Sequence, residues 1–176
     1  MKIIYLASGR AILNHENVTY NDLKEKRDLQ CDMLSVDLSN YDVLIATPPC
    51  NFYSHARGNN PPSEYAKNTK HLLPTIIEKF IRTGKPFIVE NVRNAPLFKK
   101  LRFYDFNCFV YTHGRHTYWT NIPINMETIP QEFDFKNISG YGAVRLKSYV
   151  QGGRNVNDVF DYWLDVVKEV KNYGKI

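Results

Sequence analysis

Short apolar runs without alternation mark the first half of the chain. Lys2 to Leu6, Val43 to Ala46 and Phe87 to Val89 each hold such a run. Runs of this kind read as strands buried on both faces, the habit of parallel sheets covered by helices. Val18, Thr19 and Tyr20 add a plausible strand, and residues 103–111 and 117–120 read as two more, joined like a hairpin through residues 112–116. Helical spacing appears twice. Ser63 and Glu64 supply a cap and a first-turn acid for a helix running to about Arg82, with Leu72, Leu73, Ile76, Ile77, Phe80 and Ile81 on one stripe. Pro74 predicts a kink or two consecutive helices there, and residues 83–86 end the segment. Val159, Phe160, Trp163, Val166, Val167 and Val170 predict an amphipathic helix over 156–172. Residues 12–17 allow at most a turn or two of helix, so the first crossover is cut to a minimum. Residues 23–30 read as a short charged helix, 31–34 as a weak strand, 96–102 as a short basic segment and 122–148 as irregular. The sum is an α/β fold with a mostly parallel sheet and a C-terminal antiparallel hairpin, in one domain over 1–176.

Composition narrows this little. At 176 residues the chain is long enough for one substantial core, and 43% hydrophobic with 23% charged residues is ordinary for a globular protein. No apolar run reaches the ~18 residues of a membrane span, and the opening apolar stretch is too short for a signal-peptide core. A cytoplasmic location is the expectation. Cys31, Cys50 and Cys108 are odd in number and form no Cys-x-x-Cys pair, which supports neither a disulfide framework nor a metal site. A net charge of +5 and abundant Tyr and Phe permit a polyanionic partner such as nucleic acid, without requiring one.

The candidate chemistry lies at strand ends, where ligands bind in open α/β sheets. Pro48 and Pro49 stop the Val43 strand and leave Cys50 just past its carboxyl end. Cys50 alone reads equally as a nucleophile or as a packed core thiol. Glu90 ends the Phe87 strand and would share that crevice; capping or an ion pair is the other reading. Ala7, Ser8 and Gly9 form a turn after the first strand, either a nucleotide-approaching loop or an ordinary turn, because only one glycine is present. Asp22 could accept from ribose hydroxyls or cap a helix. Residues 55–62, rich in turn formers, could be a lid over the strand end.

In order, these segments resemble the DNA cytosine-5 methyltransferase family, in particular its short, phage-like members. Thr47-Pro48-Pro49-Cys50, followed by Phe52 and Ser54, resembles the catalytic Pro-Cys loop. Residues 86–92, Pro-Phe-Ile-Val-Glu-Asn-Val, resemble the strand bearing the Glu-Asn-Val motif. Residues 6–11 are similar to the loop around the methionine moiety of S-adenosylmethionine, Asp22 to the ribose-binding acid, and Asp32 to the acid that meets the adenine amino group. Arg115 looks like the family's later catalytic-site arginine, without the surrounding Gln-x-Arg-x-Arg. The resemblance spans roughly 3–121. It implies a Rossmann-like S-adenosylmethionine-dependent methyltransferase fold with a reduced first crossover helix. The implied cofactor is S-adenosylmethionine, bound by Ala7, Ser8, Gly9, Asp22, Asp32 and Pro48, and the implied partner is DNA, duplex or single-stranded.

In that family a cysteine thiolate attacks carbon 6 of the pyrimidine, a glutamate supports protonation at ring nitrogen 3, and carbon 5 takes the methyl group. Cys50 and Glu90 would take these two roles, with Arg115 as a fixed cation on the base carbonyl or a phosphate. The chain also departs from the family. Ala7 and Ala11 stand where the family has phenylalanine and glycine, and the stretch from Asn121 to Val156 is too short for the usual target-recognition region. Specific duplex reading would then fall to a partner protein, a second subunit or an unusual loop. The alternative is a degenerate relative, phage-encoded, that keeps the fold and serves as a binding or inhibitory module on a host protein or nucleic acid.

Overall fold

A computed structural model describes residues 1–54, 59–93, 95, 108–129 and 141–172. Its centre is a six-stranded sheet in the order β2-β1-β3-β4-β6-β5. The strands are β1 (Ile3–Leu6), β2 (Val18–Tyr20), β3 (Val43–Ala46), β4 (Phe87–Val92), β5 (Phe109–His113) and β6 (His116–Thr120). The first four run parallel; β6 is antiparallel to β4, and β5 to β6. The mixed α/β architecture read from the sequence is therefore present, with its antiparallel part at one edge.

Two apolar layers flank the sheet, and alternate strand residues feed each. Ile4, Leu6, Leu44, Ala46, Phe87, Val89 and Trp119 pack on one face against α2 (Leu72–Thr83). Ile3, Tyr5, Val43, Ile45, Ile88 and Tyr118 pack on the other against α3 (Tyr141–Asn172). Full burial of such side chains contributes roughly 1.5–3 kcal/mol each, and β3 is accordingly apolar throughout. The break foreseen at Pro74 is real. α1 (Glu64–Thr69) is capped by Ser63 Oγ, which accepts the Ala66 N–H, and α2 begins afresh after His71 with Pro74 in its first turn. Gly84 closes α2 at φ 68°, its N–H donating to the Ile81 carbonyl.

The connections depart most from the sequence reading. Residues 12–17 form no helix. The loop is instead docked on α3: Asn14 N–H donates to Asp161 Oδ1 at 3.0 Å, Asn157 Nδ2 to the Ile12 carbonyl at 3.2 Å, and Leu13 is buried in that layer. Residues 23–30 are not helical either. Asp22 accepts the N–H groups of Lys24 and Glu25 as a cap would, but no helix follows: Asp28 accepts the Tyr20 N–H of β2, and Leu29 turns back to bridge Asn21 in parallel. Residues 31–34 are a turn rather than a strand, because Asp32 accepts from Leu34 N–H and its carbonyl takes both the N–H and the hydroxyl of Ser35. α3 begins at Tyr141, within the stretch read as irregular to 148; Gly142, Gly152 and Gly153 dilute helical propensity there without stopping the helix. The same stretch also holds a 3-10 turn at Met126–Thr128. Residues 96–102 and the first part of the strand read over 103–111 lie outside the described residues.

The segment 31–41 crosses from β2 to β3 without regular structure, anchored by buried Met33, Val36 and Leu38. Its carbonyls still need donors. Lys79 Nζ reaches the carbonyls of Leu34 at 2.7 Å and Val36 at 2.8 Å. Lys85 Nζ reaches those of Leu38, Ser39 and Tyr41 at 2.6, 2.8 and 2.6 Å. Lys85→Met keeps the stem and removes the donors, so urea unfolding followed by circular dichroism is expected to show a loss of about 2 kcal/mol, the scale of charge-assisted hydrogen bonds. An unchanged midpoint would mean that water satisfies these carbonyls equally well.

Candidate active site

The carboxyl ends of β1, β3 and β4 come together, and most of the residues singled out above gather there. β3 delivers Thr47, whose hydroxyl donates to the Ala7 carbonyl at 2.7 Å and whose N–H donates to Leu6 O, tying the first loop to the third strand. Pro48 follows, and its carbonyl accepts Asn91 Nδ2 at 2.9 Å, a buried bond that fastens the proline loop to the end of β4. The Pro48 carbonyl is thus engaged structurally. Cys50 then turns the chain, its carbonyl accepting the N–H of Tyr53 at 3.0 Å and of Ser54 at 2.9 Å. Its thiol is half-buried and free, as are those of Cys31 and Cys108. Of the segment read as a lid, residues 55–58 lie outside the described residues.

Glu90 is 9% exposed. In the antiparallel ladder it stands opposite Tyr118, and His116 lies diagonally on the same face, opposite Val92. His116 Nδ1 is 2.5 Å from Glu90 Oε1. Burial first, and the negative charge of Glu90 second, push the Cys50 thiol above its ordinary range. The nucleophile and carboxyl candidates are therefore within electrostatic reach of one another, as the sequence reading required. Among the described residues the Tyr118 hydroxyl beside Glu90 is buried without a hydrogen-bond partner, as are both ring nitrogens of His113, which faces His116 across the hairpin.

Arg115 occupies the two-residue turn Gly114-Arg115 between β5 and β6, with Gly114 at φ 57° as a tight hairpin turn of this length requires. Its carbonyl accepts Arg93 N–H at 2.7 Å, extending the β4–β6 ladder by one step. The hairpin thus brings both Arg115 and His116 to the site, and it is His116 that touches Glu90.

The loop after β1 is closely held. Ala7 adopts φ 51°, a left-handed conformation uncommon outside glycine. Its N–H points to Asn21 Oδ1 at 3.4 Å, and both the N–H and hydroxyl of buried Ser8 donate to the Asn21 carbonyl. Asn21 is itself fully buried, and its amide donates to the carbonyls of Leu29 at 3.1 Å and Cys31 at 2.9 Å. Gly9 N–H donates to Asp22 Oδ2 at 2.9 Å, while Arg27 Nε and Nη2 donate to the carbonyls of Gly9 and Ala11 at 2.6 and 3.2 Å. Burial alone would raise the Asp22 carboxyl, but N–H donors from Glu25, Lys24 and Gly9 outweigh it and hold the group below the usual carboxylate range. A Cβ built on Gly9 would meet no atom within 4 Å, so open space faces the backbone there. Asp32 is exposed next to Cys31, which Asn21 draws toward the same end of the sheet.

Four residues of this arrangement escaped the sequence reading. His116 was visible only as part of a hairpin connection, since its contact depends on β4–β6 register. Asn91 follows Glu90 directly and belongs to the quoted motif, but its role as a strap to Pro48 is not encoded in spacing. Thr47 belongs to the quoted Pro-Cys motif and Asn21 follows the Val18 strand, but the hydrogen bonds each makes are not encoded in spacing. No known protein-family model matches the chain, and no curated protein matches it.

The position of Glu90 yields a measurable consequence. Removing its charge in Glu90→Gln lowers the Cys50 thiol toward its ordinary range, so alkylation of Cys50 by iodoacetamide at mildly alkaline pH is expected to accelerate. Peptide mass spectrometry reads this with Cys108, pushed up to about 11 by burial, as an internal comparison. An unchanged Cys50 rate would show that the Glu90 charge does not reach the thiol.

Proposed function

We propose that this protein transfers a methyl group from S-adenosylmethionine to carbon 5 of cytosine in DNA through a covalent Cys50 adduct. The observation that carries this reading is the convergence of Cys50 and Glu90 from adjacent parallel strands, β3 and β4, with the Pro48 carbonyl strapped to Asn91. The sheet order, parallel through β4 and completed by an antiparallel hairpin, supports a Rossmann-like methyltransferase fold of reduced crossovers.

The cofactor fit is argued from the first loop. Open space over Gly9 and the Asp22 and Asp32 carboxyl groups at one end of the sheet suit the ribose and adenine of S-adenosylmethionine. Bound there, it supplies an electrophilic methyl group on a sulfonium. The remaining chemistry belongs to the chain. Cys50 attacks carbon 6 as a thiolate, and Glu90 hydrogen-bonds the exocyclic amine and ring nitrogen 3, favouring electron density at carbon 5. Charge is withdrawn from Glu90 when a proton is shared on that carboxyl group, which removes one of the two causes holding the thiol protonated. The base reaches these atoms only when flipped out of a duplex or already single-stranded.

A second reading, a methyltransferase-like binding module, is favoured by one specific observation. The N–H groups of Ala7, Ser8, Gly9 and Ala11 are all directed at acceptors within the chain, leaving the methionine moiety few donors on that loop. Calorimetry with S-adenosylmethionine and trapping on 5-fluorocytosine DNA separate the two. The methyl-transfer reading expects cofactor binding and a covalent adduct in the wild type, none in Cys50→Ser, and a loss of roughly 10²- to 10⁴-fold in adduct formation in Glu90→Gln. Absence of cofactor binding at millimolar concentration would leave the binding module standing.

A further inference from the structure

The contact between Glu90 and His116 asks for a chemical role. Oε1 and Nδ1 are in hydrogen-bond contact, and a bond between these two acceptor-capable atoms needs a proton on one of them. The pair is placed by backbone rather than by chance. Glu90 and His116 share one face of the β4–β6 ladder, and the Gly114-Arg115 turn with the Arg93 to Arg115 bond fixes where β6 begins. His116 keeps 19% of its side-chain surface exposed against 11% for Glu90, so the imidazole is the more water-facing half. An arginine at this place could hold a carboxylate but could not give up a proton; an imidazole can do both near neutral pH.

We propose that His116 is a positioning residue that supplies a proton to the target pyrimidine through Glu90 and takes it back. This rests on the methyl-transfer reading. As the Cys50 Sγ to carbon 6 bond forms, the carbon 5 to carbon 6 π pair is drawn toward ring nitrogen 3. The carboxyl group of Glu90 gives that nitrogen a proton and regains one from Nδ1 of the imidazolium, leaving the imidazole neutral. When carbon 5 has taken the methyl group from the sulfonium, a solvent base has removed the carbon 5 proton and the Sγ to carbon 6 bond breaks, the nitrogen 3 proton returns to Glu90 and Nδ1 recovers its own. No net proton is consumed by the pair.

Among the described residues, the ionisable groups facing it are few. Tyr118 on β6 and Tyr5 on β1 both carry hydroxyls held protonated chiefly by burial. Cys50 approaches from the β3 side, His113 from β5, and Asp158 of α3 acts on Tyr118. Arg93 and Arg115 flank the pair in the adjoining turns.

Two measurements on the full chain test this separately from the methyl-transfer reading. The first is nitrogen NMR of protein labelled at the histidine rings, with His116→Gln assigning the signal. The Nδ1 resonance of His116 is expected to shift when Glu90→Gln is introduced; an unmoved signal overturns the pair. The second is the single-turnover rate of adduct formation on 5-fluorocytosine DNA across pH. His116→Ala is expected to lose about 100-fold, to lose one ionisation from the pH profile, and to be partly restored by added imidazole. A His116→Ala rate within about threefold of wild type, with the same pH profile, overturns the proton role while leaving methyl transfer intact. A wild type that forms no adduct overturns the methyl-transfer reading and the proton path to a pyrimidine with it, whereas a responsive His116 signal would still establish the proton-sharing pair.

Discussion

A carboxyl group taken largely out of water toward the end of a central strand is costly to hold, and neighbouring groups are arranged around it. A buried ionisable group needs a partner that shares its proton or charge. Here the partner comes from the antiparallel hairpin, so the edge of the sheet that looks most like an appendage is what makes the Glu90 position tenable. The same ladder sets the register that puts Tyr118 opposite Glu90 and keeps Trp119 in the other apolar layer. Asn91, one residue further on, points away from Glu90 in the strand alternation and straps the proline loop. One short strand thereby fixes both the carboxyl group and the loop that carries the thiol.

A second constraint is the lack of helices in the first two crossovers. A chain that crosses a sheet without a helix must satisfy its backbone groups another way. The solution is side-chain donors and acceptors from elements already in place: α3 for residues 12–15, Asn21 and Asp22 around the end of β2, Lys79 and Lys85 for 34–41. This economy has a chemical side. The loop after β1, which in dinucleotide-type folds offers its N–H groups to a ligand, directs those of Ala7, Ser8, Gly9 and Ala11 inward.

How much of this was legible follows from the range of each interaction. Val43–Ala46, the Phe87 strand and the stripe of Val159, Phe160, Trp163 and Val167 were readable because burial writes itself into consecutive or helically spaced residues. Cys50 and Glu90 were readable because both follow directly from strands whose ends the prolines and polar residues mark. The crossovers were misread for the opposite reason. Residues 23–30 have helical composition, but Asp28 and Leu29 turn back onto the end of β2, and 31–34 look like a strand until Asp32 folds them into a turn. His116 was beyond reach, since sequence spacing cannot say which residue of a hairpin will meet β4 diagonally.

The two lysines that hold residues 31–41 are themselves parts of another element. Lys79 belongs to α2, and Lys85 follows immediately on its glycine cap. The irregular segment therefore cannot fray by itself while α2 remains folded, because its donors would have to be abandoned at the same moment. It belongs to the same cooperative unit as a helix it never joins in sequence. Asp32 stands at the start of that segment, two residues before the first carbonyl that Lys79 holds, so its position is tied to α2 through the backbone between them.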